Sequence, residues 1–199
     1  MPVVEELKRI VEKLTGLGRP RRRALDRLAQ PRLPQLFRFR DDGETPNSRL
    51  PLVVYRGALK LDEAFDPAAV FEETFARHGW RDSWRDGIYD FLHFHSATHE
   101  VLGFARGKVT IEFGGRRGRT LTLHAGDVAV LPAGTGHQRL SASADLLVVG
   151  AYPPFGTYDL CRSPDQHAEA LRTIPTVGRP DNDPIHGGGG PLLKAWSEG

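Results

Sequence analysis

The sequence predicts an all-β sandwich or barrel with one principal domain. From residue 50 onward, short β-type runs are divided by turn residues, which is the spacing of antiparallel sandwiches and barrels. The chain has 199 residues, enough to bury a core and close to the size of one domain. Helical periodicity is confined to short segments outside these runs.

Residues 1–40 are predicted to form a basic, helical N-terminal arm. Apolar residues recur at helical spacing over residues 3–17, and a second short helix is expected over residues 20–30. The arm carries eleven Lys and Arg against four Asp and Glu, whereas residues 41–199 carry sixteen against twenty-one. The arm contains an arginine cluster, Arg19, Arg21, Arg22 and Arg23. A solvated helix start explains this cluster better than a nucleic-acid contact does. The amphipathic face favours packing against the barrel or a second subunit, so a homodimer is expected.

Residues 41–199 are predicted to form the β domain. Asp66 can cap a helix that has Pro67 in its first turn and ends at Gly79. Residues 152–199 are rich in proline and are expected to wrap the barrel as loops, with a short helix near residues 164–171. The predicted strands are residues 52–55, 89–95, 101–105, 109–113, 120–124, 128–131, 138–140 and 146–152.

The chain is expected to be a cytoplasmic protein without a membrane partner. No apolar run approaches the roughly 20 residues that a membrane-spanning helix needs. The N-terminus is charged from Glu5 onward and lacks the apolar segment of a signal peptide. Cys161 is the only cysteine, which agrees with a reducing compartment.

Three histidines and a carboxylate form a candidate metal site. His93 and His95 are two residues apart, so on a strand both imidazoles project from the same face. Glu100 follows closely, and His137 comes after a Pro-Ala-Gly-Thr-Gly turn that returns the chain. These nitrogen and oxygen donors suit one divalent ion of iron, manganese, nickel or zinc. The donor set does not choose among these metals.

The spacing of these residues resembles the two sequence motifs of the cupin superfamily. The first motif, G(X)5HXH(X)3-4E(X)6G, is matched over residues 87–107, and the second, G(X)5PXG(X)2H(X)3N, over residues 126–141. Ser141 stands where the second motif ends in Asn. The run Asp41-Asp42-Gly43, residues 51–57 and Asp183-Pro184 further resemble the YjlB-like branch of small bacterial cupins, whose activity is uncharacterised.

This resemblance implies a cupin fold, which is a double-stranded β-helix or jelly-roll barrel, with His93, His95, Glu100 and His137 as metal ligands. Four protein ligands would leave about two positions open on an octahedral ion. Glu100 could move a proton and His99 could act as a second proton carrier, but an exposed loop position is the favoured interpretation of His99. A largely apolar pocket is expected from the alternation that also points residues 89, 91, 102 and 104 inward.

Three classes of function remain open from the sequence. The preferred one is a metal-dependent enzyme acting on a small molecule, either an oxygenase or an isomerase or lyase. The second is a non-catalytic metal or small-ligand binding module, because a fold alone does not imply turnover. The third and least favoured is a regulator that senses a ligand in the β domain and contacts nucleic acid through the arm. Tyr55, Arg56, Tyr89 and Arg139 could orient a substrate, but packing or surface roles are favoured for them.

Overall fold

Nine β-strands organise residues 18–197, the part of the chain that the computed structural model describes. All of their pairings are antiparallel, in one six-stranded and one three-stranded sheet. The prediction of a mostly β, antiparallel protein is therefore confirmed. The strands are β1 (Gln35–Phe37), β2 (Leu52–Tyr55), β3 (Arg81–Asp86), β4 (Glu100–Arg106), β5 (Lys108–Phe113), β6 (Arg119–His124), β7 (Val128–Leu131), β8 (His137–Ala142) and β9 (Leu147–Tyr152).

Strand order places the two sequence motifs next to each other. The larger sheet has the order β1-β2-β7-β4-β9-β3 and the smaller one β6-β5-β8. Strand β4, which begins at Glu100, is the neighbour of β7 and β9 in the larger sheet. Strand β8, which begins at His137, lies at the edge of the smaller sheet. A site built from Glu100 and His137 must therefore lie between the two sheets.

Period-two alternation in the central strands separates two layers of core. In β2, Val53 and Tyr55 belong to one apolar cluster, which also contains Phe71 and, from the C-terminal part of the chain, Trp196. Leu52 joins a second cluster, which includes apolar residues of both sheets. Neighbouring side chains of a strand face opposite ways, so the larger sheet is covered on both faces. This explains why all four residues of β2 are buried.

Four α-helices lie around the sheets in the described residues: α1 (Arg22–Leu28), α2 (Pro67–Arg77), α3 (His167–Thr173) and α4 (Pro191–Ser197). The Asp66 carboxylate accepts the amide N–H of Ala68 at 3.1 Å, and Pro67 occupies the first turn, as predicted for α2. Helices α1 and α3 fall in the predicted segments, whereas α4 was not predicted. None of these helices is long and apolar enough to cross a membrane.

One predicted strand is wrong, and two strands were not predicted. Residues 89–95 do not form a regular strand, because only His93 and Phe94 make isolated bridges, to His137 and Cys161. Strand β3 was missed because its sequence, Arg-Asp-Ser-Trp-Arg-Asp, is polar and largely exposed and shows no apolar alternation. It pairs with β9 at the edge of the larger sheet. Strand β1 was also missed.

Part of the predicted N-terminal arm packs against the β domain. Leu25 and Leu28 of α1 are buried, and β1 pairs with β2. The predicted helix over residues 3–17 lies outside the described residues. The domain boundary at residue 40 stays a prediction, and residues 18–40 contact the larger sheet and its core directly.

Candidate metal centre

A cavity of about 550 Å³ opens between the two sheets. Strand β4 contributes Glu100 and Leu102 to its wall, and β8 contributes His137 and Arg139. The segment that follows β3 crosses the same cavity and brings two further histidines. The remaining wall is a mixture of aromatic and charged side chains, so the expectation of a largely apolar pocket is only partly met. The lining residues are Trp84, Arg85, Asp86, Gly87, Ile88, Tyr89, His93, His95, Glu100, Leu102, His137, Arg139, Tyr152 and Tyr158.

Main-chain pairing, rather than a continuous strand, positions His93 and His95. The N–H of His93 donates to the carbonyl of His137 at 3.2 Å, and the N–H of His137 donates back at 2.9 Å. Phe94 exchanges the same two bonds with Cys161, at 3.1 and 3.0 Å. Both histidines face the cavity while Phe94 packs in a separate apolar cluster. The same-face prediction for the two histidines is correct, although the local structure is a pair of bridges.

The three histidines lie close enough to share one ion. Their candidate ligand atoms lie within 4.8 Å of one another. One Glu100 carboxylate oxygen lies 3.4 Å from Nε2 of His95 and 3.6 Å from Nε2 of His137. All four side chains are buried. The structure thus brings together the four residues predicted as ligands.

Main-chain carbonyls determine which ring nitrogen of each histidine is available. The Nδ1–H of His93 donates to the carbonyl of Phe91 and that of His137 to the carbonyl of Thr135, each at 3.1 Å. The Nδ1–H of His95 donates to the carbonyl of Asp159. A carbonyl can only accept, so Nδ1 carries the proton in all three rings. Nε2 is then the lone-pair donor of each ring, the arrangement typical of metal-binding histidines.

A cation fits this donor set. In the neutral rings, the Nε2 lone pairs of His95 and His137 would face a carboxylate oxygen, and neither side would have a proton to share. Buried acceptors that face each other without a donor are unfavourable, and either a proton or a metal ion resolves the conflict. Three imidazole nitrogens and one carboxylate are donors that iron, manganese, nickel and zinc accept.

The pKa values in the cluster move in opposite directions. Burial, with nearby His93, lowers the pKa of His137 to about 3, and burial also lowers the pKa of His93. Burial opposes protonation of His95 as well, but the Glu100 carboxylate outweighs it and raises the pKa of His95. Burial alone would raise the pKa of Glu100, yet His95 holds it below its usual value. The carboxylate is therefore ionised at neutral pH, ready to bind a cation.

Asp159 supports the cluster and was missed in the sequence. Its carboxylate accepts the N–H and the hydroxyl of Ser96, at 2.9 and 2.7 Å, and the N–H of Ala97 at 3.2 Å. The thiol of Cys161 donates to it at 3.1 Å. Its main-chain carbonyl is the acceptor for His95. Asp159 therefore ties the C-terminal wrap to the His95 segment, and no local motif marks it.

Tyr152 is a second residue that sequence reasoning missed. It ends β9 and lines the cavity beside Glu100. Its hydroxyl oxygen accepts the indole N–H of Trp84 at 2.9 Å. Burial, together with the charge of Glu100 and a hydrogen bond to it, raises the pKa of Tyr152. The phenol is therefore protonated at neutral pH and offers its proton toward the carboxylate.

His99 is not part of the cavity wall. It is buried, so the favoured expectation of an exposed loop position is wrong. Its Nδ1 accepts the N–H of Ala133 at 2.8 Å, and its Nε2–H donates to the carbonyl of Gly178 at 2.8 Å. Burial lowers its pKa to about 4, and its ring packs on Trp196. Both ring nitrogens are hydrogen-bonded to the main chain, so the role of proton carrier does not fit this geometry.

The four residues for which substrate orientation was the less favoured alternative divide into two groups. Tyr55 is fully buried, with its hydroxyl donating to Asp183, and Arg56 pairs with Asp127 at 2.9 Å. Neither residue lines the cavity, in agreement with the favoured packing and surface roles. Tyr89 and Arg139 do line it.

Comparison with known proteins identifies one curated relative with substantial similarity. The chain is 42% identical over 164 residues to "Uncharacterized protein YjlB" of Bacillus subtilis, covering 81% of this chain and 96% of that protein. No family model matches the chain.

Solved structures give weaker similarity. Acireductone dioxygenase from Bacillus anthracis, with a cadmium ion in its active centre, is 18% identical over 49% of this chain and 71% of its own, with a TM-score of 0.34. Oxalate decarboxylase of Bacillus subtilis is 19% identical over 62% and 30% of the two chains, with a TM-score of 0.35. Similarity at this level carries no argument about the reaction of the present chain.

Proposed function

The chain belongs to the YjlB-like cupins, and on this premise we propose that it binds one divalent metal ion and acts on a small molecule. The ligands are His93, His95, His137 and Glu100. The observation that supports this best is the shared tautomer of the three rings, because each donates Nδ1–H to a carbonyl and keeps Nε2 as the donor atom. When bound, the ion would supply Lewis acidity, or electron transfer if it is a redox metal.

The cavity also offers groups that could hold and move a proton. Glu100 is ionised and buried, and the Tyr152 phenol stands beside it as a proton donor. We assign proton transfer to Glu100, with Tyr152 and its partner Trp84 as positioning residues. His99 has no part in this assignment because its ring is held away from the cavity.

Enzyme and binding module differ in what they do with the ligand. The presence of ionisable groups beside the metal ligands favours an enzyme, either an oxygenase or an isomerase or lyase. Oxygen uptake by the iron-loaded protein across candidate substrates would separate the first class from the others. A protein that binds ligands but converts none of them would be a non-catalytic module.

The test of metal binding is elemental analysis of the purified protein. We expect about one equivalent of metal in the wild type and its loss in His93→Ala and His137→Ala. His124→Ala is the matched control, because His124 is exposed at the end of β6 and does not line the cavity. Metal-free wild-type protein, or equal metal in all variants, would contradict the proposal. Circular dichroism of each variant verifies that the fold is retained.

The homodimer, the cytoplasmic location and the helical arm remain predictions. Light scattering on the full chain and on a variant that lacks residues 1–17 would test whether the arm joins two subunits. Salt-dependent binding of DNA by the full chain that is lost when the exposed Arg21, Arg22 and Arg23 are replaced by Gln would instead favour the regulator.

A further inference from the structure

Two guanidinium groups line the cavity, and they differ in how they are paired. Arg85 contacts both carboxylate oxygens of Glu72, at 2.7 and 2.8 Å, and one oxygen of Asp66 at 2.7 Å. These two carboxylates neutralise Arg85 and fix it against helix α2. Arg85 is therefore a structural cation of the wall with little capacity left for a ligand.

Within residues 18–197, Arg139 has no such close carboxylate partner. Its nearest carboxylate is Asp90, at 3.6 Å, which is longer than a charge-assisted hydrogen bond. The Asp90 side chain is 73% exposed, so water screens this pair. The other carboxylate at this rim, that of Asp86, accepts the N–H of Gly87 at 2.7 Å. A ligand anion could therefore replace Asp90 as the partner of Arg139 with only a small loss of interaction free energy.

Arg139 also has a defined relation to the metal ligands. It lies two residues after His137 on β8, so both side chains leave the same face of the strand and both line the cavity. Two residues of a strand span about 7 Å. The histidine cluster and the guanidinium thus form two positively charged ends of one cavity when a divalent ion is bound.

Aromatic side chains line the space beside these ends. The ring of Tyr89 stands edge-on to His93 with centroids 5.1 Å apart, and Tyr158 lies 5.0 Å from His95. Both tyrosines are about half exposed at the cavity mouth. Their rings supply apolar surface at the mouth, and a side-chain hydrogen bond joins Tyr158 to Tyr89.

We propose that the natural ligand is a small dianion with an apolar or aromatic body, one anionic group directed at the histidine cluster and the other bound by Arg139. This inference rests on the proposed metal site for its first anchor. Arg139 is the specificity-determining residue, because it selects ligands that carry the second charge. Bidentate pairing of guanidinium and carboxylate supplies the geometry of this selection.

The test uses terephthalate, whose two carboxylates stand at opposite ends of one ring, and its monoamide 4-carbamoylbenzoate. Calorimetric titration would compare them on metal-loaded wild type, Arg139→Gln and Arg117→Gln. The last is the matched control, because Arg117 is an exposed arginine outside the cavity. We expect wild type and Arg117→Gln to prefer the dianion by about tenfold or more, and Arg139→Gln to lose this preference while keeping its metal.

Three outcomes would overturn the inference: no binding of either probe at millimolar concentration, equal binding of both by the wild type, or an unchanged preference in Arg139→Gln. Metal analysis of the same samples separates this failure from that of the proposed function. Stoichiometric metal without charge selection refutes the role of Arg139 alone. If the wild type binds no metal, the proposed function fails and the inference loses its first anchor, an outcome that metal analysis distinguishes from the loss of charge selection alone.

Discussion

Asp159 is the residue whose removal tests most directly how the metal centre is built. Its carboxylate accepts two main-chain N–H groups and one hydroxyl from Ser96 and Ala97, which follow His95, and the thiol of Cys161 from its own segment. Burial would raise the pKa of Asp159, but the hydrogen bonds from Ser96 lower it, so the group is charged at neutral pH. The perturbation is Asp159→Ala, with Asp159→Asn as the variant that keeps one oxygen acceptor.

The expected loss follows from the number and exposure of these bonds. A hydrogen bond to a charged group contributes about 1.5–3 kcal/mol, but the contributions are not additive and Asp159 is only half-buried. We expect the free energy of unfolding to fall by about 2–4 kcal/mol in Asp159→Ala and by less in Asp159→Asn. Displacement of the segment that carries His95 should weaken metal binding by roughly 10- to 100-fold.

Urea unfolding of the metal-free protein measures the first effect, and competition with a metal chelator measures the second. Asp181→Ala is the control, since Asp181 is an exposed aspartate of the same C-terminal wrap. Wild-type metal affinity in a folded Asp159→Ala protein would show that His95 is positioned without this carboxylate. An unchanged urea midpoint would show that its hydrogen bonds contribute nothing net.

Three further predictions concern the fold around the site. A Cβ at Gly103 would overlap the ring of Phe71, so Gly103→Ala should lose about 1–3 kcal/mol by overpacking, seen as a lower melting temperature. Asp66→Ala removes the cap of helix α2 and a partner of Arg85; urea unfolding should show a loss of about 1 kcal/mol or more, with Asp66→Asn milder. Burial alone would raise the pKa of Glu72, but hydrogen bonding from Arg85 lowers this pKa below 4.5. The ionised Glu72 therefore stabilises the folded protein above pH 4.5, and this stabilisation is lost as the pH falls further. The difference in unfolding free energy between wild type and Glu72→Gln should therefore shrink between pH 7 and pH 3, and a pH-independent difference would contradict this assignment.

The strands that the sequence predicted well are those with one or two apolar faces. Strand β5 alternates between buried and more exposed residues, and β7 is apolar throughout, so periodicity and composition were sufficient. Strand β3 was not predicted from periodicity and composition, because it is polar and lies at the edge of its sheet. The prediction for the segment around His93 failed for the opposite reason. It has strand-like alternation, but it makes only isolated bridges, from His93 to His137 and from Phe94 to Cys161, instead of a continuous ladder.

His99 shows where local reasoning about the site ends. Its neighbour Glu100 faces the cavity, so alternation sends His99 to the opposite face of the sheet. Whether that face is solvent or core depends on the C-terminal wrap, which brings Trp196 and the carbonyl of Gly178 onto the ring. No pattern near residue 99 reveals that cover, and the exposed interpretation was therefore wrong.

The amino-acid sequence was sufficient to predict a mostly β fold and four candidate ligands, because strand periodicity is local and each of the two motifs that contain His93, His95, Glu100 and His137 occupies a short stretch of chain. The tertiary structure decided how those ligands can be used. It assigned the Nδ1 protons to main-chain carbonyls and separated the saturated Arg85 from the weakly paired Arg139. These features depend on groups many residues apart in the chain, and only the folded protein brings such groups within hydrogen-bonding distance.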